Sequence, residues 1–462
     1  MNANSRAGMH ASNPETQALR EAIFEYTRER MSYDPAPLDA PLTLEELRKL
    51  APNTVNEHGL GGQAALKVFS EVLAPACLST DHPGYLSFIP TAPTEAATLF
   101  DLVVSASSIY GGSWMEGAGA VYAENEVLTW LAREAGLPAT AGGVFVQGGT
   151  LGNLSALVAA RHAAKAKRIA TGMALPASWK FICSAEAHSS LKAAASVMDV
   201  EIVKAEVDQD GRLTGPAVQR ALDAAGDGVF AIVATAGTTN FGIVDRIREV
   251  GEVANRAGIW FHVDGAYGLA ALLAPKTRAL FDGTELADSF IVDPHKWLFA
   301  PFDACALVYR DPSLAKAAHT QHGEYLDTLT ESGDWNPSDY AYNLTRRVRG
   351  LPLWFSLATH GVAAYRQAIE ENIDLAHRIA EEIRRRPALS LVREPELSVV
   401  VFEHEGWTVE DYKRWSDHLL DTGKGLVVPS SHRGKPNTRF AIVNPQTSYE
   451  LLVELLDSME TI

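Results

Sequence analysis

The sequence predicts an α/β fold, a mainly parallel seven-stranded sheet flanked by helices. Three observations predict it. Between about residues 95 and 310, short apolar runs alternate with longer stretches of helical periodicity. The runs are almost continuously apolar, as strands buried on both faces must be. Polar and glycine residues of unusual type gather just beyond the carboxyl ends of those runs, where ligands bind in such sheets.

The elements follow in order. Residues 1–80 read as an N-terminal helical segment with a proline-rich break at Asp34-Pro35-Ala36-Pro37. Within it, Thr43-Leu44-Glu45-Glu46-Leu47 reads as a capped helix start. Residues 81–345 form the large domain. Its strand candidates are Gly143–Gln147, Lys180–Ser184, Glu201–Ala205, Val229–Thr235, Ile259–Asp264, Ser289–Asp293 and Ala304–Tyr309. Helices are expected between them at Leu154–Lys167, Gly215–Ala225 and Arg246–Ala257. Residues 311–343 are polar and aperiodic, the mark of a functional lid or a disordered insert. Residues 346–462 suit a small C-terminal α+β domain: a helix from Leu353 to about Arg386, strands at Ser398–Phe402 and Arg439–Asn444, and a final helix.

Composition narrows the function. A chain of 462 residues with 47% apolar and 21% charged residues can bury sizeable cores. Its formal charge of −17 argues against nucleic acid or an anionic membrane as partner, since both recruit basic patches. A small anion remains compatible, because backbone amides at a helix N-terminus suffice to hold one. The three cysteines, Cys77, Cys183 and Cys305, fit neither a disulfide framework nor a metal site. Met1–Glu15 lack the order of a signal peptide, and no apolar stretch approaches bilayer length, so a cytoplasmic protein is expected.

Several residues could carry chemistry. Gly148-Gly149-Thr150 sits between a strand and a helix, where amides and a hydroxyl can meet an anion; glycines also serve ordinary tight turns. Asp264 ends an apolar strand and reads either as a helix cap or as the partner of a protonated ring nitrogen. Lys296 is followed by Trp297-Leu298-Phe299, a setting in which desolvation would lower its pKa and make a nucleophilic, Schiff-base amine; the alternative is a snorkelling lysine. His188 follows another strand and is equally readable as structural or as a stacking, proton-moving group. Thr238, Thr239 and Asp245 follow a further strand, where such residues also act as caps.

Taken together, these segments resemble the group II pyridoxal-5′-phosphate (PLP)-dependent amino-acid decarboxylases. The resemblance is carried by His82-Pro83 through Pro90-Thr91-Ala92, Gly148-Gly149-Thr150, Ala187-His188-Ser189-Ser190, Gly237-Thr238-Thr239, His262-Val263-Asp264-Gly265-Ala266-Tyr267 and Pro294-His295-Lys296-Trp297. It implies PLP fold-type I and a homodimer with active sites at the subunit interface. It further implies Lys296 as the Schiff-base lysine, Asp264 as the pyridinium partner, and His188 stacked on the ring with His295 beside the lysine. Gly149, Thr150, Thr239 and Ala266 complete the expected cofactor contacts. Tyr325 matches a tyrosine that returns a proton to the substrate carbon, and Arg346 an arginine at the substrate edge. One departure stands out: many relatives have Asn where this chain has Asp293, and an ionised aspartate repels a phosphate.

The expected reaction is decarboxylation of an L-amino acid to its primary amine, with an aromatic substrate preferred because the overall pattern looks most like that branch. The alternatives are an oxidative, aldehyde-forming relative, an aminotransferase, and a cofactor-free scaffold. For the aminotransferase, Arg439 would clamp the α-carboxylate, although it reads more readily as a surface arginine of the small domain.

Overall fold

A computed structural model describes residues 8–10, 12–323 and 333–461. The chain opens with helices α1 (Pro14–Met31), α2 (Leu44–Leu50) and α3 (Gly62–Val68). Helix α2 begins as its sequence requires: Thr43 caps the amide of Glu46, and Glu46 reaches back to the Thr43 amide. None of the three helices contains a buried residue. Helices α4 (Glu95–Ala106) and α5 (Trp114–Glu134) lead into the body.

The sheet forms from β1 (Gly142–Val146), β2 (Lys180–Ser184), β3 (Glu201–Ala205), β4 (Val229–Thr235), β5 (Trp260–Asp264), β6 (Ser289–Val292) and β7 (Cys305–Tyr309). Their order is β1-β7-β6-β5-β4-β2-β3. The run β3-β2-β4-β5-β6 is parallel throughout, whereas β7 is antiparallel to both β6 and β1. A short turn of helix, Pro294–Trp297, joins β6 to β7 in place of a long crossover helix, and it carries the Pro-His-Lys-Trp motif.

Alternation along the strands feeds two cores. Ile232, Ala234, Phe261, Val263, Phe290 and Val292 pack on one face, against Ile247, Val250, Val253 and Ala254 of the helix Ile247–Ala257. Phe181, Cys183, Phe230, Val233 and Ile291 pack on the other, against the helices Gly149–Ala170 and Ser189–Met198. Each buried Phe is worth about 2 kcal/mol in area removed from water, so a sheet walled on both faces is the stable arrangement for these runs.

Three elements differ from the sequence reading by more than two residues. The helix expected at Leu154 begins at Gly149, so the Gly-Gly-Thr turn is itself the first helical turn. Within the segment read as aperiodic, Pro312–His319 is helical, started by Asp311 accepting from the Ser313 amide and by a proline at its first position. The strand expected at Arg439–Asn444 spans Lys435–Ala441. With Leu389–Leu391, Val399–His404 and Ser430–His432 it makes a four-stranded antiparallel sheet. The helical stretch Leu351–Arg385, broken by a kink at Gly361, spans two cores: Ile369 and Ile373 pack against the large sheet, Ile379 and Ile383 against the small one.

Asp245 is a structural tie. It is buried, and its carboxylate accepts the amides of Thr235 and Leu213, both at 2.7 Å, which locks the end of β4 to the chain entering the helix Gly215–Ala225. Replacing Asp245→Ala leaves two buried amides without acceptors and should lower unfolding free energy by roughly 2–4 kcal/mol. Urea denaturation measures it; a loss below about 0.5 kcal/mol would show the tie to be dispensable.

Candidate active site

The carboxyl ends of β1, β2, β4, β5 and β6 open onto one cleft of about 420 Å³. Gly149, Thr150, His188, Thr239, Asp264, Ala266, His295 and Lys296 all line it. Sequence motifs separated by up to 147 positions (Gly149 to Lys296) are thus brought together because successive strands deliver their ends to the same edge.

Asp264, the last residue of β5, is 4% exposed. Its Oδ1 accepts from the Ala266 amide at 3.2 Å and its Oδ2 from Asn153 Nδ2 at 2.9 Å. Asn153 also donates to Ser190 Oγ at 2.9 Å, and its Oδ1 lies 2.9 Å from His262 Nε2. His188 is exposed at the cleft. Its Nδ1 accepts the Ser190 amide at 3.2 Å and lies 2.9 Å from Ser190 Oγ, so the neutral ring carries its proton on Nε2.

Lys296 is the amine of the site. Its Nζ lies 3.0 Å from Asp293 Oδ2, and its side chain keeps 23% exposure. Burial acts to lower its pKa, but the Asp293 carboxylate, assisted by Asp264, outweighs burial and holds it above the ordinary lysine value. The expectation that desolvation alone would set a lowered pKa is therefore corrected. His295, its pKa lowered by burial, is fastened to the Ala304 backbone through Nδ1 at 2.6 Å, and its Nε2 stands 3.8 Å from Asp293 Oδ2.

The residue that departs from the expected asparagine is accounted for by the same contacts. Asp293 is buried, and Oδ2 accepts the Gly149 amide at 3.3 Å as well as facing Lys296. Among the described residues its Oδ1 has no hydrogen-bond partner. The carboxylate thus occupies one amide of the helix start and balances its charge on the lysine.

The rest of the helix start, beside Asp293, suits an anion. Gly148 caps the helix Gly149–Ala170 without any side-chain hydrogen bond, leaving the helix start to the cleft. A Cβ at Gly149 would lie 3.1 Å from Asp293 Oδ2 and 3.2 Å from the Ala266 Cβ, so glycine keeps the cradle open. Gly237 begins the neighbouring turn with φ of +105°, a conformation that favours glycine. Arg439 grips this turn, donating to the Thr239 carbonyl and, at 3.2 Å, to that of Phe88. It is 7% exposed; the surface-arginine reading is corrected, and its guanidinium is already engaged with carbonyls.

Arg346 is not brought to the cleft. Its guanidinium is buried, pairs with Glu124 at 2.8 Å and donates to the carbonyls of Gly111 and Phe145. The substrate-edge expectation gives way to a structural ion pair, because both terminal nitrogens of the guanidinium are engaged inside the fold. Tyr325 lies outside the described residues. Sequence reasoning missed Asn153, Ser190 and Phe302; Asn153, four residues after Gly149 and so on the same helical face, offered the one readable signal.

The donor set fits pyridoxal phosphate: an amine for the aldehyde, a buried carboxylate for the ring nitrogen, and an open helix start flanked by Thr150 and Thr239 for the phosphate. The comparisons with known proteins agree. The model of the pyridoxal-dependent decarboxylase conserved domain matches residues 45–405. An aromatic-L-amino-acid decarboxylase of Bacillus atrophaeus is 29% identical over 91% of this chain and 89% of its own length. An L-2,4-diaminobutyrate decarboxylase of Acinetobacter baumannii is 28% identical over 82% of this chain and 79% of its own. A TDC of Oryza sativa, solved with PLP and tryptamine, superimposes with a TM-score of 0.87 at 24% identity, covering 100% of this chain and 98% of that one.

Asp293 generates a test. With its charge present, Lys296 keeps its proton to higher pH; Asp293→Asn removes the charge and lets burial dominate. The pH midpoint for borohydride-trapped attachment of pyridoxal phosphate to Lys296, read by mass spectrometry, should therefore move to lower pH in the variant. An unmoved midpoint would show that Asp293 does not govern the lysine.

Proposed function

The chain belongs to the pyridoxal-dependent decarboxylase family, and from that premise we propose that it removes the α-carboxylate of an aromatic L-amino acid, yielding CO₂ and the primary amine. Amino-acid decarboxylation with pyridoxal phosphate as cofactor is the family's chemistry; the aromatic substrate is our reading. The observation that carries it is the cleft wall. Phe302, 53% exposed, lines the cleft, and among the described residues no arginine does. A glutamate side chain would meet no guanidinium there. Asp303, which also lines the cleft, has its charge paired with Arg349 at 2.8 Å, which weakens its attraction for the second ammonium of diaminobutyrate.

Each assigned residue has a task. When bound, pyridoxal phosphate supplies a protonated ring that draws off the electron pair left at Cα when CO₂ departs. Lys296 is the amine that holds the cofactor between turnovers. Asp264 keeps the proton on the ring nitrogen, and its charge counts for more because the carboxylate is only 4% exposed. Gly149, Thr150 and Thr239 would hold the phosphate, and Ala266 and His188 would contact the cofactor. His295 packs beside the lysine. Tyr325, assigned on the sequence resemblance, returns the proton to Cα.

Assembly and location belong to the same proposal. The helices α1–α3 contain no fully buried residue within one chain, and Leu99, Leu102 and Val103 on α4 are exposed. We assign these surfaces to a homodimer interface. The division into residues 1–80, 81–345 and 346–462 is our reading of the sequence, and the core around Trp415, Phe402 and Phe440 favours a small C-terminal unit. Among the described residues no helix is long and apolar enough to cross a membrane. The free thiols of Cys183 and Cys305 suit the reducing cytoplasm, where we place the enzyme.

Three measurements test these assignments. In a screen of amine release, kcat/KM for tryptophan, tyrosine or a related aromatic amino acid should exceed that for glutamate or diaminobutyrate by at least tenfold; the reverse order would sink the aromatic reading. Tyr325→Phe should keep CO₂ release under way while dioxygen diverts part of the product from amine to aldehyde, with the nitrogen leaving as ammonia and the oxygen as hydrogen peroxide. An unaltered amine yield would assign the proton to another group. Light scattering should give twice the chain mass of 49.9 kDa, and a fully active monomer would refute the dimer.

A further inference from the structure

We infer that Asn153 is a positioning residue for the Asp264 carboxylate, its amide held in one orientation by His262 so that an uncharged donor faces Asp264 Oδ2. The inference rests on the assignment of Asp264 to the cofactor's ring nitrogen.

The orientation follows link by link. A carboxylate only accepts, so the Asn153 atom 2.9 Å from Asp264 Oδ2 is the amide nitrogen. Its second hydrogen goes to Ser190 Oγ at 2.9 Å. With both hydrogens used, Asn153 Oδ1 turns to His262 Nε2 at 2.9 Å, which must therefore carry the imidazole proton. His262 Nδ1 is left bare and accepts from Ser289 Oγ at 2.8 Å. That hydroxyl, its own hydrogen given, accepts Trp260 Nε1–H at 2.9 Å. A flipped amide would set oxygen against carboxylate oxygen, so no second arrangement satisfies the chain.

Burial makes the chain rigid. Asn153 is 1% exposed, and His262 and Ser289 are 0% exposed. Burial also keeps His262 neutral, its pKa pushed down to about 4. A cation in the place of Asn153 would compensate the Asp264 charge and weaken its hold on a ring proton. A neutral donor instead fixes the carboxylate's rotation and leaves its negative charge to the ring nitrogen. The Ser190 branch extends the same amide to His188, on the other side of the site: Ser190 Oγ, having accepted from Asn153, gives its hydrogen to His188 Nδ1.

The test begins without cofactor. In nitrogen-15 NMR of histidine-labelled apoprotein, with His262 assigned by its loss in His262→Gln, the inference requires a protonated Nε2 and a bare Nδ1. The opposite tautomer overturns it with no dependence on a variant's folding. Pyridoxal phosphate labelled at the ring nitrogen then reports on the loaded protein. Asn153→Ala should release the ring proton at lower pH than wild type, and its apoprotein should bind pyridoxal phosphate roughly tenfold more weakly. His262→Gln can still donate to Asn153 Oδ1 and should keep the wild-type ring-nitrogen signal, whereas His262→Phe should behave like Asn153→Ala. A ring-nitrogen titration unchanged in both Asn153→Ala and His262→Phe overturns the positioning role. A wild-type ring nitrogen that carries no proton rejects the Asp264 assignment instead, and the apoprotein tautomer still decides the orientation of Asn153.

Discussion

The burial of Asp264 governs much of the surrounding structure. A carboxylate at 4% exposure is tolerable only when its lone pairs are met, and the cost of failing runs to several kcal/mol. The parallel sheet brings it to the cleft edge, so the donors must come from what lies beside that edge: the turn at Ala266 and the first turns of the helix packed on the sheet. Asn153 is available because the helix starts early, at Gly149, and carries residue 153 around to the same face. The position of the helix start, the polar chain to Trp260 and the placement of Ser190 are thus consequences of one buried charge. The same early start offers the phosphate end of the cleft its amides.

The small antiparallel sheet takes part in the site without lining it. Arg439 stands on a strand of that sheet, and its guanidinium binds the carbonyl of Thr239 in the turn after β4. Burial lowers its pKa, which marks how far it has been drawn from solvent. Carbonyl acceptors repay part of that cost, and in return a loop expected to touch phosphate is held by a rigid strand. Ser398, beside the small sheet, binds the Tyr267 hydroxyl in the same region.

How legible this was in the sequence depends on the distance over which each signal acts. Strand runs, the helix cap at Thr43 and the Pro-His-Lys-Trp motif are local patterns, and the structure places them within a few residues of expectation. The helix Pro312–His319 was missed because it is short and its start, Asp311-Pro312, lies in a polar stretch whose periodicity is swamped by its neighbours. Arg346 and Arg439 were misread for a different reason. Neither has a local signature, and whether a guanidinium meets solvent, substrate or a buried carboxylate is settled by residues 222 and 200 positions away, Glu124 and Thr239. Asn153 lay between these cases: its helical spacing from Gly149 was readable, its partners across the sheet were not. Burial alone does not set the Lys296 pKa, because Asp293, three residues earlier, places a carboxylate beside the amine.

The Glu124–Arg346 pair carries an evolutionary implication. Both side chains are almost fully enclosed, at 2% and 3% exposure, and Glu124 also accepts the Gly350 amide at 2.8 Å. Losing either partner strands a charge in the interior at a cost of about 3–5 kcal/mol, a large fraction of a typical domain's stability. A lineage changing one residue at a time meets that barrier from both directions, although an apolar pair of similar volume on the far side could be as stable as the present one. The two positions are therefore expected to change together or not at all, as a ratchet in sequence space that persists irrespective of which amino acid the cleft has come to accept.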